Sequence, residues 1–336
     1  MTSENVENGS HRTAQLPGVS IVLPILNEER HLEVAIKAIL QQEYQGEFEV
    51  ILAIGPSKDR TMEIARDLAK SERRIVIVES PTGRTPNGLN LAIAASHFPI
   101  ICRIDGHAEI SRDYVTQAVR LLKEKSAVNV GGIMAAQGTT PFEKSVATAM
   151  RSPLGVGAAR FHTGGGAGPA DTVYLGTFEK SALLAVGGYD ERFTRAQDWE
   201  LNFRLRKAGG LIWFDPSLVV TYRPRPTFKA LAKQYFEYGR WRRAVMRNHT
   251  GTTNLRYLAP PTAVLGILAS LLLGTFVNSI LYFPIAIYLL LIVLGSLVIG
   301  KGILEKIILP SVLATMHMSW GWGFLTSPRG LLPEEE

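Results

Sequence analysis

Cysteine is nearly absent: Cys102 is the only one in 336 residues, and it lies inside an apolar run. A disulfide framework and a cysteine-bound metal are therefore excluded, which suits a reducing compartment. The stretch from Met1 to Pro17 lacks any apolar core and is rich in Ser, Asn, Glu and Thr. It reads as a disordered tail and not as a secretory signal, so residues 1–257 are expected on the cytosolic side of a membrane. The third absence is charge. From Leu258 to Gly300 there is no Asp, Glu, Lys or Arg, and from Ile307 to Ser327 the only ionisable side chain is His317. A bilayer core of ~30 Å takes about 20 apolar helical residues, so the first run fits two spans and the second fits one. Soluble helices rarely go so long without charge, which argues against a buried core hairpin. Pro310 and Gly321 to Gly323 leave the third segment open to a re-entrant path.

What is present is basic, with a formal net charge of +6. That charge suits nucleic acid, anionic lipid or phosphorylated substrates, and its placement is more informative than its sum. Phe228 to Asn248 reads as a helix carrying Phe228, Leu231, Tyr235 and Tyr238 beside Arg240, Trp241, Arg242, Arg243 and Arg247. Aromatics with arginines just before a membrane span suit the headgroup region, not nucleic acid. The same arginines orient the first span with its start in the cytosol. Lys301 and Lys306 would return there, leaving Glu334 to Glu336 outside.

Ahead of this region, strands and helices alternate. Val19–Pro24, Phe48–Ile54, Arg74–Val78 and the run from Pro99 are apolar and β-rich, and helical patterns follow each of the first three. That predicts a mostly parallel sheet with helices on both faces. Gly83 to Gly88 reads as a loop before a helix over Leu89–Ala95. Pro153 to Ala170 contains Gly155, Gly157, Gly164, Gly165, Gly166 and Gly168, and reads as a mobile loop closing over the site. Gln197 to Arg206 reads as a helix ended by Gly209, with Asp198 in its first turn.

In open α/β sheets the ligand crevice lies outside the carboxyl ends of the strands. The fourth strand stops there at Asp105-Gly106-His107. On a strand-like backbone Asp105 and His107 project the same way and together suit one divalent cation and, through it, a diphosphate. Taken alone, the tripeptide fits a solvated turn equally well.

Three stretches in order carry a resemblance: Val19-Ser-Ile-Val-Leu-Pro-Ile-Leu-Asn-Glu28, Asp105-Gly-His107 and Gln197-Asp-Trp-Glu200. They resemble the signatures of family-2 inverting glycosyltransferases with the GT-A fold. Thr172-Val-Tyr-Leu-Gly-Thr177 and Gly187-Gly-Tyr-Asp190 add similarity to membrane glycosyltransferases of the succinoglycan-biosynthesis type. The resemblance covers roughly residues 18–250 and implies a Rossmann-like GT-A catalytic domain over 18–227. An amphipathic interfacial region over 228–257, a transmembrane region over 258–327 and a tail over 328–336 would follow.

By the resemblance, Asp105 contacts the donor ribose or a metal, and His107, where relatives commonly have a second Asp, is a metal ligand. Imidazole favours Mn2+ over Mg2+. Asp198 is implied as general base, although a helix-start acid favoured by the macrodipole would look the same. Pro24, Asn27 and Glu28 match positions lining the nucleotide. Gly55 stands where relatives have a base-reading Asp, leaving Ser57 and Asp59 as candidates. Arg84 and Asn87 are placed to reach the diphosphate.

The acceptor side is assigned to Gln197, Trp199, Gln234, Arg240, Trp241, Arg242 and Arg243. Gln234 and Arg240-Trp241 are too far apart for the Gln-x-x-Arg-Trp of processive synthases. Few transfers are expected, with Arg240, Arg242 and Arg243 either gripping a lipid diphosphate or simply anchoring the helix. The implied reaction moves a sugar from a UDP- or GDP-linked donor to a polyprenyl-(di)phosphate-linked glycan at the cytosolic face of a plasma membrane. A polyprenyl-phosphate monoglycosyltransferase and a catalytically silent nucleotide-sugar-binding scaffold are the competing readings. The sequence leaves the oligomeric state open.

Overall fold

The computed structural model describes residues 16–333. Most of the expected tail over 1–17, and Glu334 to Glu336, lie outside the described residues. The first half runs β1 (Val19–Ile25), α1 (Leu32–Leu40), β2 (Phe48–Ile54), α2 (Thr61–Ser71), β3 (Ile75–Glu79), α3 (Thr85–Ala95) and β4 (Ile100–Arg103). These strands pair in parallel in the order β3-β2-β1-β4. Alternate residues of β1 face opposite sides, as the two-residue period of a strand requires. Ile21, Leu23 and Ile25 join Leu32, Ile36 and Ile39 of α1 on one face. On the other, Val22 joins Leu89, Ala92 and Ile93 of α3. Each such side chain contributes about 1.5–3 kcal/mol when fully buried. The helix expected over Leu89–Ala95 begins earlier, at Thr85, because Pro86 sits in its first turn, where a missing N–H costs nothing.

The second half runs β5 (Glu109–Ile110), α4 (Tyr114–Lys125), β6 (Asn129–Ala136), α5 (Pro141–Met150), α6 (Pro153–Val156) and α7 (Arg160–Thr163). Then come β7 (Gly168–Pro169), β8 (Tyr174–Glu179), α8 (Lys180–Ala185), α9 (Gln197–Lys207) and β9 (Ile212–Tyr222). Here the sheet is mixed, not parallel. β8 is antiparallel to both β4 and β6, β6 and β9 are parallel, and β5 and β7 run antiparallel to β9.

The glycine-rich segment, expected as a mobile loop, carries short elements in this structure. It supplies α6, α7 and β7, and the Leu154 carbonyl accepts a hydrogen bond from His317 Nε2 at 2.8 Å.

The chain closes with α10 (Phe228–Asn248), α11 (Ala259–Phe276), α12 (Phe283–Ile299) and α13 (Ile303–Leu325). Among the described residues two helical stretches, 255–276 and 279–299, are long and apolar enough to cross a membrane. The expected third span is α13, and it is not one of them. Its Leu309, Val312, Leu313 and Met316 are buried with Val146 and Met150 of α5 and Leu231 and Tyr235 of α10. The chain itself covers its apolar face. α10 and α13 touch backbone to backbone: a β-carbon on Gly239 would lie 2.0 Å from the Trp320 carbonyl oxygen, and one on Gly323 2.0 Å from that of Phe236.

Overpacking of this kind costs about 1–3 kcal/mol. Gly239→Ala should therefore lower the thermal midpoint of the detergent-solubilised protein by several degrees. An unchanged midpoint would show that the two helices do not approach this closely.

Candidate active site

Val22 of β1 lies beside Arg103 of β4, so the segments leaving both strands emerge together at the carboxyl edge of the sheet. At the end of β4 stands Arg103, whose side chain is buried. A guanidinium cannot remain there without carboxylates, because desolvating an ion costs several kcal/mol. Two acids meet it. Oδ1 of Asp105 accepts from Arg103 Nε and Nη2 at 3.3 and 3.2 Å, and Oδ1 of Asp198 accepts from Nη1. Oδ2 of each acid has no hydrogen-bond donor among the described residues. Burial alone would lower the guanidinium's pKa, but Asp198 and Asp105 hold it well above its ordinary range. Burial pushes the Asp198 carboxyl above the usual aspartate range, with Arg103 opposing.

Asp198 is presented by the first turn of α9. The residue preceding that helix, Ala196, adopts a left-handed backbone with φ of 59°, which costs roughly 1–2 kcal/mol in a residue other than glycine. Strain of this kind gathers at functional sites.

Asp105 and His107 do not share a strand face, because β4 ends at Arg103. They are instead held separately on the turn that follows: Asp105 by Arg103, and His107 through Nδ1 to Glu28 Oε1 at 2.9 Å. That bond raises the pKa of the imidazole. It also leaves Nε2 free, and a ligating histidine commonly has its other nitrogen fixed by a carboxylate in this way. No group of three or more His, Cys, Asp or Glu among the described residues is arranged to hold a metal. Asp105 Oδ2 and His107 Nε2 are two unpartnered donors of the kind a divalent cation takes together with substrate phosphates.

The remaining expected nucleotide residues divide into bracing and lining groups. Asn27, at φ of 56°, donates from its backbone to Ser57 Oγ at 3.0 Å and accepts from the Lys58 backbone at 2.8 Å. Asp59 accepts from the Glu29 and Thr61 backbones at 3.2 and 3.1 Å. Ser57 and Asp59 thus brace the loop after β1, which weakens them as base readers. Asn87 is likewise occupied, since it accepts from Thr82 Oγ1 and donates to Glu191, both at 2.9 Å. Arg84 is exposed and its side chain has no partner among the described residues.

A shallow cleft of about 40 Å³ lies between Pro24, Ala53, Gly55, Ser80, Gly83 and Arg84. A β-carbon on Gly55 would lie 2.8 Å from the Gly83 α-carbon, so an aspartate cannot occupy position 55 without displacing that loop.

On the expected acceptor side, Gln197 has no side-chain partner among the described residues. Gln234 donates to the Tyr222 and Tyr238 hydroxyls, each at 2.8 Å. Trp241 is buried against Phe193, and Arg240 pairs with Glu237 at 2.9 Å. Arg243 donates to the Phe324 carbonyl at 3.1 Å, and Arg242 lies over the Trp199 ring. Sequence reasoning misses Arg103 and Glu191. A lone arginine inside Ile100-Ile-Cys-Arg-Ile104 is the available signal, because a buried charge must be paired.

The chain belongs to glycosyl transferase family 2, whose profile matches residues 20–183. It is 32% identical over 314 residues to the succinoglycan biosynthesis protein ExoA of Rhizobium meliloti (strain 1021), covering 90% of this chain and 93% of that one. It is also 25% identical over 321 residues to a Methanococcus voltae protein, the dolichyl N-acetyl-α-D-glucosaminyl phosphate 3-β-D-2,3-diacetamido-2,3-dideoxy-β-D-glucuronosyltransferase. That match covers 91% of this chain and 95% of the relative. In fold, the chain resembles a mannosyltransferase from Pyrobaculum calidifontis solved with GDP-Man and Mn2+. The TM-score is 0.59 at 17% identity, over 92% of this chain and 88% of that one. The sheet is therefore GT-A-like and the chain is a glycosyltransferase.

Loss of a carboxylate that orients a metal-binding histidine typically costs 10–100-fold in metal affinity. Glu28→Gln should weaken Mn2+ binding by that factor in a titration followed by electron paramagnetic resonance. Unchanged affinity would remove His107 from the ligand set.

Proposed function

We propose that this protein is a membrane-bound, inverting glycosyltransferase. It moves a sugar from a UDP- or GDP-linked donor to a short glycan on a polyprenyl phosphate or diphosphate, at the cytosolic face of the membrane. The observation that carries this reading is the sharing of Arg103 between Asp105 and Asp198, with a free oxygen on each. The donor nucleotide lies in the cleft beside Gly55 and Gly83, and Arg84 reaches its diphosphate. Asp105 and His107 would hold a divalent cation, Mn2+ in preference to Mg2+ because imidazole is among the ligands. When bound, such an ion offsets the charge of the departing diphosphate.

Arg103 keeps Asp198 oriented and ionised, and Asp198 Oδ2 takes the proton of the acceptor hydroxyl as it attacks the anomeric carbon. With one carboxylate acting as base, a single displacement at the anomeric carbon inverts it. Membrane attachment through 255–276 and 279–299 is supported by their length and apolarity. A lipid-linked acceptor is supported by the archaeal relative, whose name specifies a dolichyl-linked sugar phosphate.

General-base catalysis contributes about 10²–10⁴-fold. Asp198→Asn should lower kcat within that range while changing donor affinity only a few-fold, and full retained activity would remove Asp198 from the base role. Because burial raises this carboxyl, the rate should fall with decreasing pH at a value above that of an ordinary aspartate, about 3.9. A pH–rate profile flat through that region would contradict the assignment. An assay offering polyprenyl phosphate against a glycosylated polyprenyl diphosphate separates this reading from that of a monoglycosyltransferase.

A further inference from the structure

The arginines of α10 are not equivalent. Arg240 pairs with Glu237, whereas Arg243 and Arg247 donate to carbonyls of Phe324, Ser327 and Pro328 beyond or at the end of α13. Those carbonyls lie at or just beyond a helix C-terminus, a position that cations favour. Arg242 is different. Among the described residues it has no hydrogen-bond or ion-pair partner, and its Nη1 is buried. Its guanidinium lies 4.6 Å from the centre of the Trp199 ring and 4.4 Å from that of Tyr257. The Nε1–H of Trp199, a residue only 8% exposed, is also buried without an acceptor. Arg256 lies 4.9 Å from the Tyr257 ring and donates to its hydroxyl at 2.8 Å.

Two guanidinium groups therefore share one ring with no carboxylate between them, beside two buried N–H donors that lack acceptors. Buried donors are normally satisfied, and a buried cation is normally paired. Burial lowers the pKa of Arg242, and Arg256 lowers it further. An anion would relieve every one of these costs at once.

We propose that Arg242, Trp199 and Arg256 bind the phosphate of the lipid-linked acceptor, an inference that rests on the proposed transfer to such an acceptor. The position suits it. Tyr257 lies in the first turns of the 255–276 stretch, where a span would meet the lipid headgroups. Trp199 directly follows Asp198 on α9, and the two side chains leave α-carbons ~3.8 Å apart in different directions.

The test uses the full chain in detergent micelles. Polyprenyl phosphate, inorganic pyrophosphate and phosphatidylglycerol vesicles are titrated in parallel. Polyprenyl phosphate should bind, with Kd raised at least tenfold by Arg242→Gln and several-fold by Trp199→Phe, which keeps an aromatic ring and deletes the N–H. Arg247→Gln should bind as wild type. If Arg242→Gln does not fold, Trp199→Phe and Arg256→Gln carry the comparison. Wild-type affinity in these variants would overturn the site. So would pyrophosphate binding as tightly as the lipid, or vesicles binding with the same dependence on Arg242, since the ligand would then be a free anion or a bulk headgroup. Sugar transfer is assayed alongside. Transfer by the wild type with undiminished lipid binding in the variants defeats this inference alone, whereas no transfer to any lipid-linked acceptor defeats the functional reading beneath it.

Discussion

A single buried guanidinium sets the terms for this molecule. Arg103 occupies the last position of an otherwise apolar strand, where it is only 3% exposed, and its charge is tolerable there only with two carboxylates against it. One comes from the turn two residues on. The other comes from α9, far along the sequence, so the ion pair can form only when the second half of the sheet has assembled. The arrangement of the three charges therefore depends on the completed fold. Each acid meets the guanidinium through one oxygen and keeps the other without a donor among the described residues.

The surroundings of α9 hold that arrangement in place. Glu200, 1% exposed, accepts from Arg204 at 2.6 Å and from His249 at 3.0 Å, which ties α9 to the end of α10. α10 is in turn locked to α13 through Gly239 and Gly323. A continuous chain of contacts thus runs from Asp198 to the helices beside the apolar stretches. The strained Ala196 at the start of α9 is tolerated because these contacts fix the helix from its far side.

Much of this is legible in the sequence, and the misses have physical causes. β2 and α10 have the bounds that the residue pattern predicts, because a continuous apolar run and an aromatic–arginine helix are strong local signals. Asp198 falls in the first turn of its helix, as expected. The third apolar segment stays ambiguous in the sequence because lipid and a folded chain reward the same composition; its packing against α5 and α10 is visible only in the fold. Asn87 reads as a free loop residue unless Pro86 is recognised as a helix start; in the first turn of α3 its amide is taken by Glu191. Arg103 escapes a local reading since its partner Asp198 is remote in sequence, and pairing over that distance leaves no periodic mark. The role of Arg242 depends on what lies on each face of its guanidinium, which no spacing reveals.

A single displacement assisted by one base makes stereochemistry the most direct test. Proton NMR of the glycoside formed from an α-linked nucleotide sugar should show a β-anomeric linkage, the product of one displacement. An α-linked product would require a covalent intermediate or a different assembly of charges. It would contradict the role of Asp198 as the base held by Arg103.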